Sequence, residues 1–187
     1  MPIVETARLR LRPFRPADLD ALAAIYADPV VMRWMRTGLP VPRNQTEEAI
    51  AWYIGYWAAH GCGQWAVEQQ ADGALVGRCG LFGLDQTDEI EVGYLLGQPY
   101  WGQGDASEAA EAALRWGFTA LGLERIVGVV RPENVASQRV LEKIGLRYER
   151  LAHHYNLDLY YYGLDRAAYT PPVTPYAVYP APTEEEP

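Results

Sequence analysis

From residue 64 onward the sequence changes its period, and that change limits the fold more than any other feature. "QWAVEQ", "ALVGRCGLF" and "EIEVGYLL" are apolar runs with short turn segments between them, "ADG" the first, and they read as three consecutive strands of an antiparallel meander. The third run feeds "GQPYWGQGDASEAAEAALRWGFTALG". Here a glycine pair opens a helix whose alanines, Leu114, Phe118 and Leu121 share one face, with Gly122 as the expected stop. "RIVGVV" follows as a buried strand. Asn134 then stands at a helix N-cap ahead of "VASQRVLEKIG", and "RYERLAHHY" and "DLYYYGL" supply a last strand pair.

Upstream, "RLRLRPF" alternates Leu9 and Leu11 with arginines and stops at Pro13, as a half-buried strand does. Leu19, Leu22, Ala23 and Tyr26 recur at helical spacing. Asn44 and Glu47 have capping-box spacing ahead of a second helix on Ile50, Tyr53, Ile54 and Trp57, ending near Gly61. The expected fold is therefore α/β (α+β), with about seven strands by this reading. The segment from Thr170 to Pro187 holds six of the chain's 14 prolines and ends in "EEEP", so the reading is one domain over 1–169 and a flexible Pro-rich acidic tail over 170–187.

Length and composition agree: 187 residues, 49% hydrophobic and 21% charged, suit one globular domain with its own core. A net charge of −8 argues against a nucleic-acid partner, because phosphate binding draws on clustered Lys and Arg. The same charge, with Glu89 and Glu91, favours a cationic substrate in a negative site. The start "MPIVETARLR" has no apolar signal region and no later stretch nears 18 apolar residues, so no membrane partner and a cytoplasmic location are expected. Cys62 and Cys79 form no CxxC pair and His153 and His154 have no ligand spacing, so no metal is expected.

Three functional readings compete for the glycine stretch. A dinucleotide fingerprint needs a third glycine and an acidic residue at the end of the next strand, whereas Gly102 and Gly104 are followed by Ser107 and that strand ends in Val130 and Arg131. A Walker loop needs G-K-[ST], which does not occur. What remains is a helix start made of residues small enough for a ligand to touch the main chain, where free N–H groups and the helix dipole hold a pyrophosphate without Lys or Arg.

"EVGYLLGQPYWGQGDASEA" followed by "ERIVGVVRPENVASQRVLEKIGL" resembles the GNAT superfamily of N-acetyltransferases, in the branch with ribosomal-protein N-terminal acetyltransferases. The opening "ETARLRLRPFRPADLDAL" is similar to that branch's start, so the resemblance runs to about Tyr169. It implies a central, mostly antiparallel mixed sheet with helices on both faces and a splayed fourth and fifth strand. It also implies acetyl-CoA as co-substrate, no metal, and an amine acceptor such as a protein N-terminus or a small amine. The family's R/Q-x-x-G-x-G/A signature falls on "WGQGDA", with Trp101 in place of the basic or amide residue. Gly102, Gln103, Gly104, Asp105, Ala106 and Ser107 would wrap the pyrophosphate, and the main chain of Tyr94, Leu95 and Leu96 would hold the pantetheine arm. Asn134, Ser137 and Lys143 match a segment beside that arm, although Asn134 also fits a plain N-cap and Lys143 a solvated helix face. A non-catalytic acyl-CoA sensor is the alternative, and the oligomeric state is open between monomer and homodimer.

Direct attack needs a neutral amine, a polarised thioester carbonyl and a proton for the thiolate. An α-amine is roughly 10% neutral at pH 7 and a lysine about 0.04%, so a weak base suffices for an N-terminus. Glu91, where the family often carries glutamate, is the expected base or relay, with a backbone N–H near Leu95 or Leu96 for the carbonyl oxygen. Many relatives place a tyrosine acid where this chain has Leu141, which leaves Ser137 as the nearest proton donor.

Overall fold

The computed structural model describes residues 1–180, so the "EEEP" end of the tail lies outside the described residues. One nine-stranded sheet runs through the domain in the order β7-β8-β6-β5-β4-β3-β2-β1-β9. The seven strands read from the sequence are β2 (Leu9–Arg12), β3 (Gln64–Gln69), β4 (Leu75–Gly83), β5 (Ile90–Leu96), β6 (Arg125–Val130), β7 (Arg147–His154) and β8 (Leu157–Asp165). Strands β3, β4 and β5 form the expected antiparallel meander, and only β5 against β6 is parallel.

Two strands are additions at the edge: β1 (Pro2–Glu5), and β9 (Ala177–Pro180), which pairs with β1 from Pro2↔Pro180 to Glu5↔Ala177. This corrects the reading of residues from Thr170 as a flexible tail that builds no ladder. Proline is excluded from sheet interiors but accepted at a terminal edge, where its missing N–H interrupts no ladder. The tail is also docked on the way: Tyr176 lies under the Arg115 guanidinium at 4.2 Å, and the Tyr169 hydroxyl donates to Glu111 at 2.7 Å.

Five helices pack on the sheet: α1 (Leu19–Tyr26), α2 (Pro29–Met32), α3 (Arg43–His60), α4 (Asp105–Thr119) and α5 (Val135–Lys143). Helix α3 starts after an N-cap at Pro42 with no side-chain cap, so the Asn44/Glu47 capping box is not formed; Asn44 lies inside the helix, two residues past the N-cap. Gly61 closes it at φ 67°, as expected. Helix α4 ends at Thr119, three residues before Gly122.

On one face, α1 and α3 bury Leu22, Tyr26, Ile50 and Tyr53 against Ala66 and Leu95. On the other, the alanines of α4 let the helix lie close on Leu81, Val92 and Ile126, and α5 adds Leu141. Trp57, Trp65 and Trp116 interlock between helices and sheet with ring centroids 4.7–5.4 Å apart, edge-on or tilted as aromatic quadrupoles prefer.

Candidate active site

The site begins with a defect in the sheet. Strands β4 and β5 pair without interruption from Gly77↔Leu96 to Gly83↔Ile90, whereas β5 and β6 share one partner pair, Glu91↔Val127. Beyond Glu91 the two strands part, and a cavity of about 600 Å³ opens through the gap. That volume is within the usual range for small-molecule sites.

Main-chain direction along β5 follows from one hydrogen bond. The Gly97 N–H donates to Val76 O at 2.9 Å, and residues of an antiparallel ladder alternate in which neighbour they face. The main-chain groups of Leu95 therefore face β4, and those of Tyr94 and Leu96 face the gap. The expectation of a donor at Leu95 is corrected by this register, which leaves the N–H of Leu96. The Leu96 carbonyl is taken by Trp101, whose Nε1 donates to it at 2.8 Å.

On the α4 face the cavity is walled by Tyr94, Leu96 and Trp101, by Gly102 and Gly104, and by Asp105, Ala106 and Ser107. Gly104 is the N-cap at φ 89° and carries no capping side chain. The N–H groups of Asp105, Ala106 and Ser107, the first turn of α4, have no carbonyl a turn earlier to bond. A Cβ placed on Gly102 would meet nothing within 4 Å. Uncapped donors beside open space at a helix N-terminus fit a pyrophosphate.

Arg8, from the turn between β1 and β2, fastens this loop. Its Nη1 donates to Gln103 O at 2.9 Å and lies 3.0 Å from Asp105 Oδ1, and its Nε donates to Glu108 Oε2 at 2.8 Å. Sequence reading missed Arg8, because nothing local marks a pairing across some 100 residues. Asp105 is buried, with Oδ2 lacking a hydrogen-bond partner. Two expected contacts are not in the wall. The Gln103 side chain turns back to Pro99 O at 2.8 Å, and Lys143 is exposed at the end of α5.

From α5, Asn134 and Ser137 reach the same cavity. Asn134 Oδ1 accepts the Ser137 N–H at 3.2 Å, so it caps α5. The Ser137 hydroxyl is 2.8 Å from the Tyr94 hydroxyl, which also donates to Ser137 O at 3.1 Å. Burial holds the Tyr94 phenol above its ordinary pKa, so it stays protonated at neutral pH. Leu141, 2% exposed, is core.

The opposite face of the slot carries Glu91, 6% exposed. Burial pushes its carboxyl up to about 8, with the Tyr155 hydrogen bond and the Arg78 charge pulling the other way. Tyr155 donates to Glu91 Oε1 at 3.0 Å and accepts the Asp85 N–H at 2.9 Å, while Asp85 Oδ2 accepts the Tyr155 N–H at 2.8 Å. Tyr155 and Asn156 sit at φ 55° and 60°, the left-handed pair that a two-residue hairpin turn requires. Tyr155, read from the sequence as the end of a strand, stands in this turn, and its contact with Glu91, 64 residues away, has no local signature. Glu89 is separated from Glu91, bound by the Tyr161 hydroxyl outside the cavity.

Val31, in α2, and Trp34, Met35 and Arg36, in the loop after it, also line the cavity. The charge of the cavity is not what the whole chain suggests. Arg36, Arg78, Arg131 and Arg139 line the cavity against Glu91 and Asp105. Among the described residues no cluster of His, Cys, Asp or Glu is placed to hold a metal ion, and no helix is long and apolar enough to cross a membrane.

Residues 8–147 match the acetyltransferase (GNAT) domain family. An uncharacterized N-acetyltransferase, p20 of Bacillus licheniformis, is 30% identical over 176 residues, 90% of this chain and 99% of that one. A GNAT-family acetyltransferase from Bacillus anthracis superposes with a TM-score of 0.78 at 29% identity, covering 88% of this chain and 99% of that one. RimJ of Mycobacterium smegmatis, solved with CoA-disulfide, shares the fold at a TM-score of 0.73 and 23% identity, covering 88% of this chain and 87% of that one. With this match, these relatives and a sheet parted at β5 and β6, the chain belongs to the GNAT acetyltransferase family and is an acyltransferase that uses acetyl-CoA.

Proposed function

We propose that the protein moves an acetyl group from acetyl-CoA to a primary amine by direct attack within a ternary complex, the two substrates meeting through the gap between β5 and β6. The observation that carries this reading is one cavity with uncapped helix donors on one face of the sheet and a buried carboxylate on the other. Acetyl-CoA supplies the activated acyl group. The first turn of α4 takes its pyrophosphate, and the main chain of Tyr94, which faces the gap, takes its pantetheine arm as an added strand would be taken.

Glu91 removes the amine proton, directly or through a water. A base whose pKa lies near 8 is matched to an α-amine, which titrates in the same range. Tyr155 holds the carboxylate in place through Oε1. The Leu96 N–H faces the gap, where it can stabilise the carbonyl oxygen as charge develops. The leaving thiolate takes its proton from the Tyr94–Ser137 hydroxyl pair, the hydroxyls that line the same cavity where Leu141 supplies none. A thiol of ordinary acidity leaves readily enough for a weak donor to serve.

Incubating the protein with acetyl-CoA and a panel of amines, and following thiol release, tests the reading. Amine-dependent release that Glu91→Gln suppresses is the expected result. Acetyl-CoA binding with no release for any amine would instead make the domain an acyl-CoA sensor.

A further inference from the structure

The chain carries a net charge of −8, yet its cavity is lined by four arginines and two carboxylates, and Asp105 is already ion-paired to Arg8. Two of the arginines, Arg78 and Arg131, are partly buried on the acceptor side of the slot. Arg78 Nε donates to the Tyr26 hydroxyl at 2.8 Å, Nη1 to Gln64 Oε1 at 3.0 Å, and Nη2 lies 3.6 Å from Met35 Sδ. Arg131 Nη2 donates to Met35 O at 3.0 Å and to Arg36 O at 3.2 Å, while its Nε is buried without a partner. All these partners are neutral. Among the described residues no carboxylate lies within salt-bridge distance of either guanidinium.

The contrast with Arg12 shows what this chain does with a buried arginine that is structural. Arg12 is bound by Asp18 through two bonds of 2.8 and 2.9 Å and by Glu68 at 2.7 Å. A guanidinium away from water and without an anion is costly, and its planar fork matches a carboxylate in two-point contact. Arg78 and Arg131 converge on Met35, in the wall of the acceptor half, with that contact unfilled. Resting on the acetyl-transfer reading, we propose that the acceptor is an amine that also carries a carboxylate, received by Arg78 and Arg131 while its amino group faces Glu91.

The strand geometry sets the reach. Arg78 stands opposite Leu95 and Glu91 opposite Phe82, four residues along one face, or about 13 Å between backbones. The long side chain of Arg78 and that of Glu91 close part of this distance. An amino acid, or a short peptide with an acidic residue near its N-terminus, spans the remainder. The negative charge of the whole surface does not oppose such an acceptor inside the slot, because charges more than about 8–10 Å apart are largely screened at physiological salt.

The test is a panel of amino acids and acidic N-terminal peptides, each paired with the amide that lacks the charge, with thiol release compared on the neutral fraction of each amine. In the wild type the acid form is expected to exceed its amide by about 10-fold or more in kcat/KM, mainly through KM. Arg78→Gln, and independently Arg131→Gln, should bring the acid-to-amide ratio toward one, and a purely structural arginine would not move that ratio. Amides acetylated as well as acids by the wild type, or a preference that survives both substitutions, would overturn the proposal while leaving acetyl transfer intact. If no amine of either kind releases thiol, both readings fall together.

Discussion

The two halves of the slot are built by different means. The half we assign to acetyl-CoA is mostly main chain from one contiguous stretch, Tyr94 to Ser107, in which a strand, a glycine turn and a helix start follow one another. The half we assign to the acceptor is side chains gathered from distant segments: Met35 and Arg36 from the loop after α2, Arg78 on β4, Glu91 on β5, Arg131 after β6 and Tyr155 in the last hairpin. Backbone donors are available to any sequence that makes the turn, so a coenzyme common to a whole family can be held this way. Side chains from separate segments can change one at a time, so acceptor choice can drift while the donor half stays fixed.

The sharpest way to break this division is to damage the donor half alone. Ala106→Glu sets a carboxylate against the site of the pyrophosphate, and Gly104→Val puts a β-branched residue at φ 89°. Each is expected to weaken acetyl-CoA affinity by about 1000-fold or more in calorimetry, a loss of the order set by unpaired charge or forbidden backbone. Unchanged affinity in both would move the coenzyme elsewhere.

A change confined to the junction should do the opposite. Glu91→Gln keeps the shape and the acceptor for Tyr155, so acetyl-CoA affinity should hold while kcat falls by about 100-fold to 10,000-fold. Equal losses of binding and turnover would mean that the halves are not separable.

How much of each half could be read in advance follows from the same difference. "GQGDASEAA" announces a ligand-ready helix start because loop, cap and first turn are adjacent in sequence. Glu91 was singled out through the family resemblance, since strand alternation alone puts Glu89 on the same face, and the cavity is lined by Glu91 and not by Glu89. Tyr155 and Arg78 were not legible, since each acquires its role from partners 64 and 52 residues away, and no periodicity encodes such a pairing. Arg8 was legible only as an outward residue of an alternating strand, not as the clamp on Gln103 and Asp105. Strands β1 and β9 were hidden for a related reason: each is four residues long and contains proline, and β9, at the edge, is a strand only through its pairing with β1. The negative acceptor site inferred from net charge failed because a sum over 187 residues does not record which charges face one cavity.

The smaller effects sharpen the comparison at the boundary between halves. Ser137→Ala or Tyr94→Phe removes one member of the hydroxyl pair and should lower kcat by about 10-fold to 100-fold, because a thiol needs little help in leaving. The double substitution should cost little more than either single one, since the pair acts as a unit. Full additivity would assign the two hydroxyls separate tasks.

In the proposed reaction Glu91 is the group that joins the halves, and the pH dependence of kcat/KM tests that role most directly. The acceptor should be an amine that is already neutral above pH 6, so that only groups of the free enzyme titrate. Burial holds the Glu91 proton up to about pH 8, so kcat/KM should rise with pH and level off above that value. In Glu91→Gln this limb should vanish, leaving a low and flat profile. A limb near pH 8 that persists unchanged in Glu91→Gln would contradict the account and place the base on another residue.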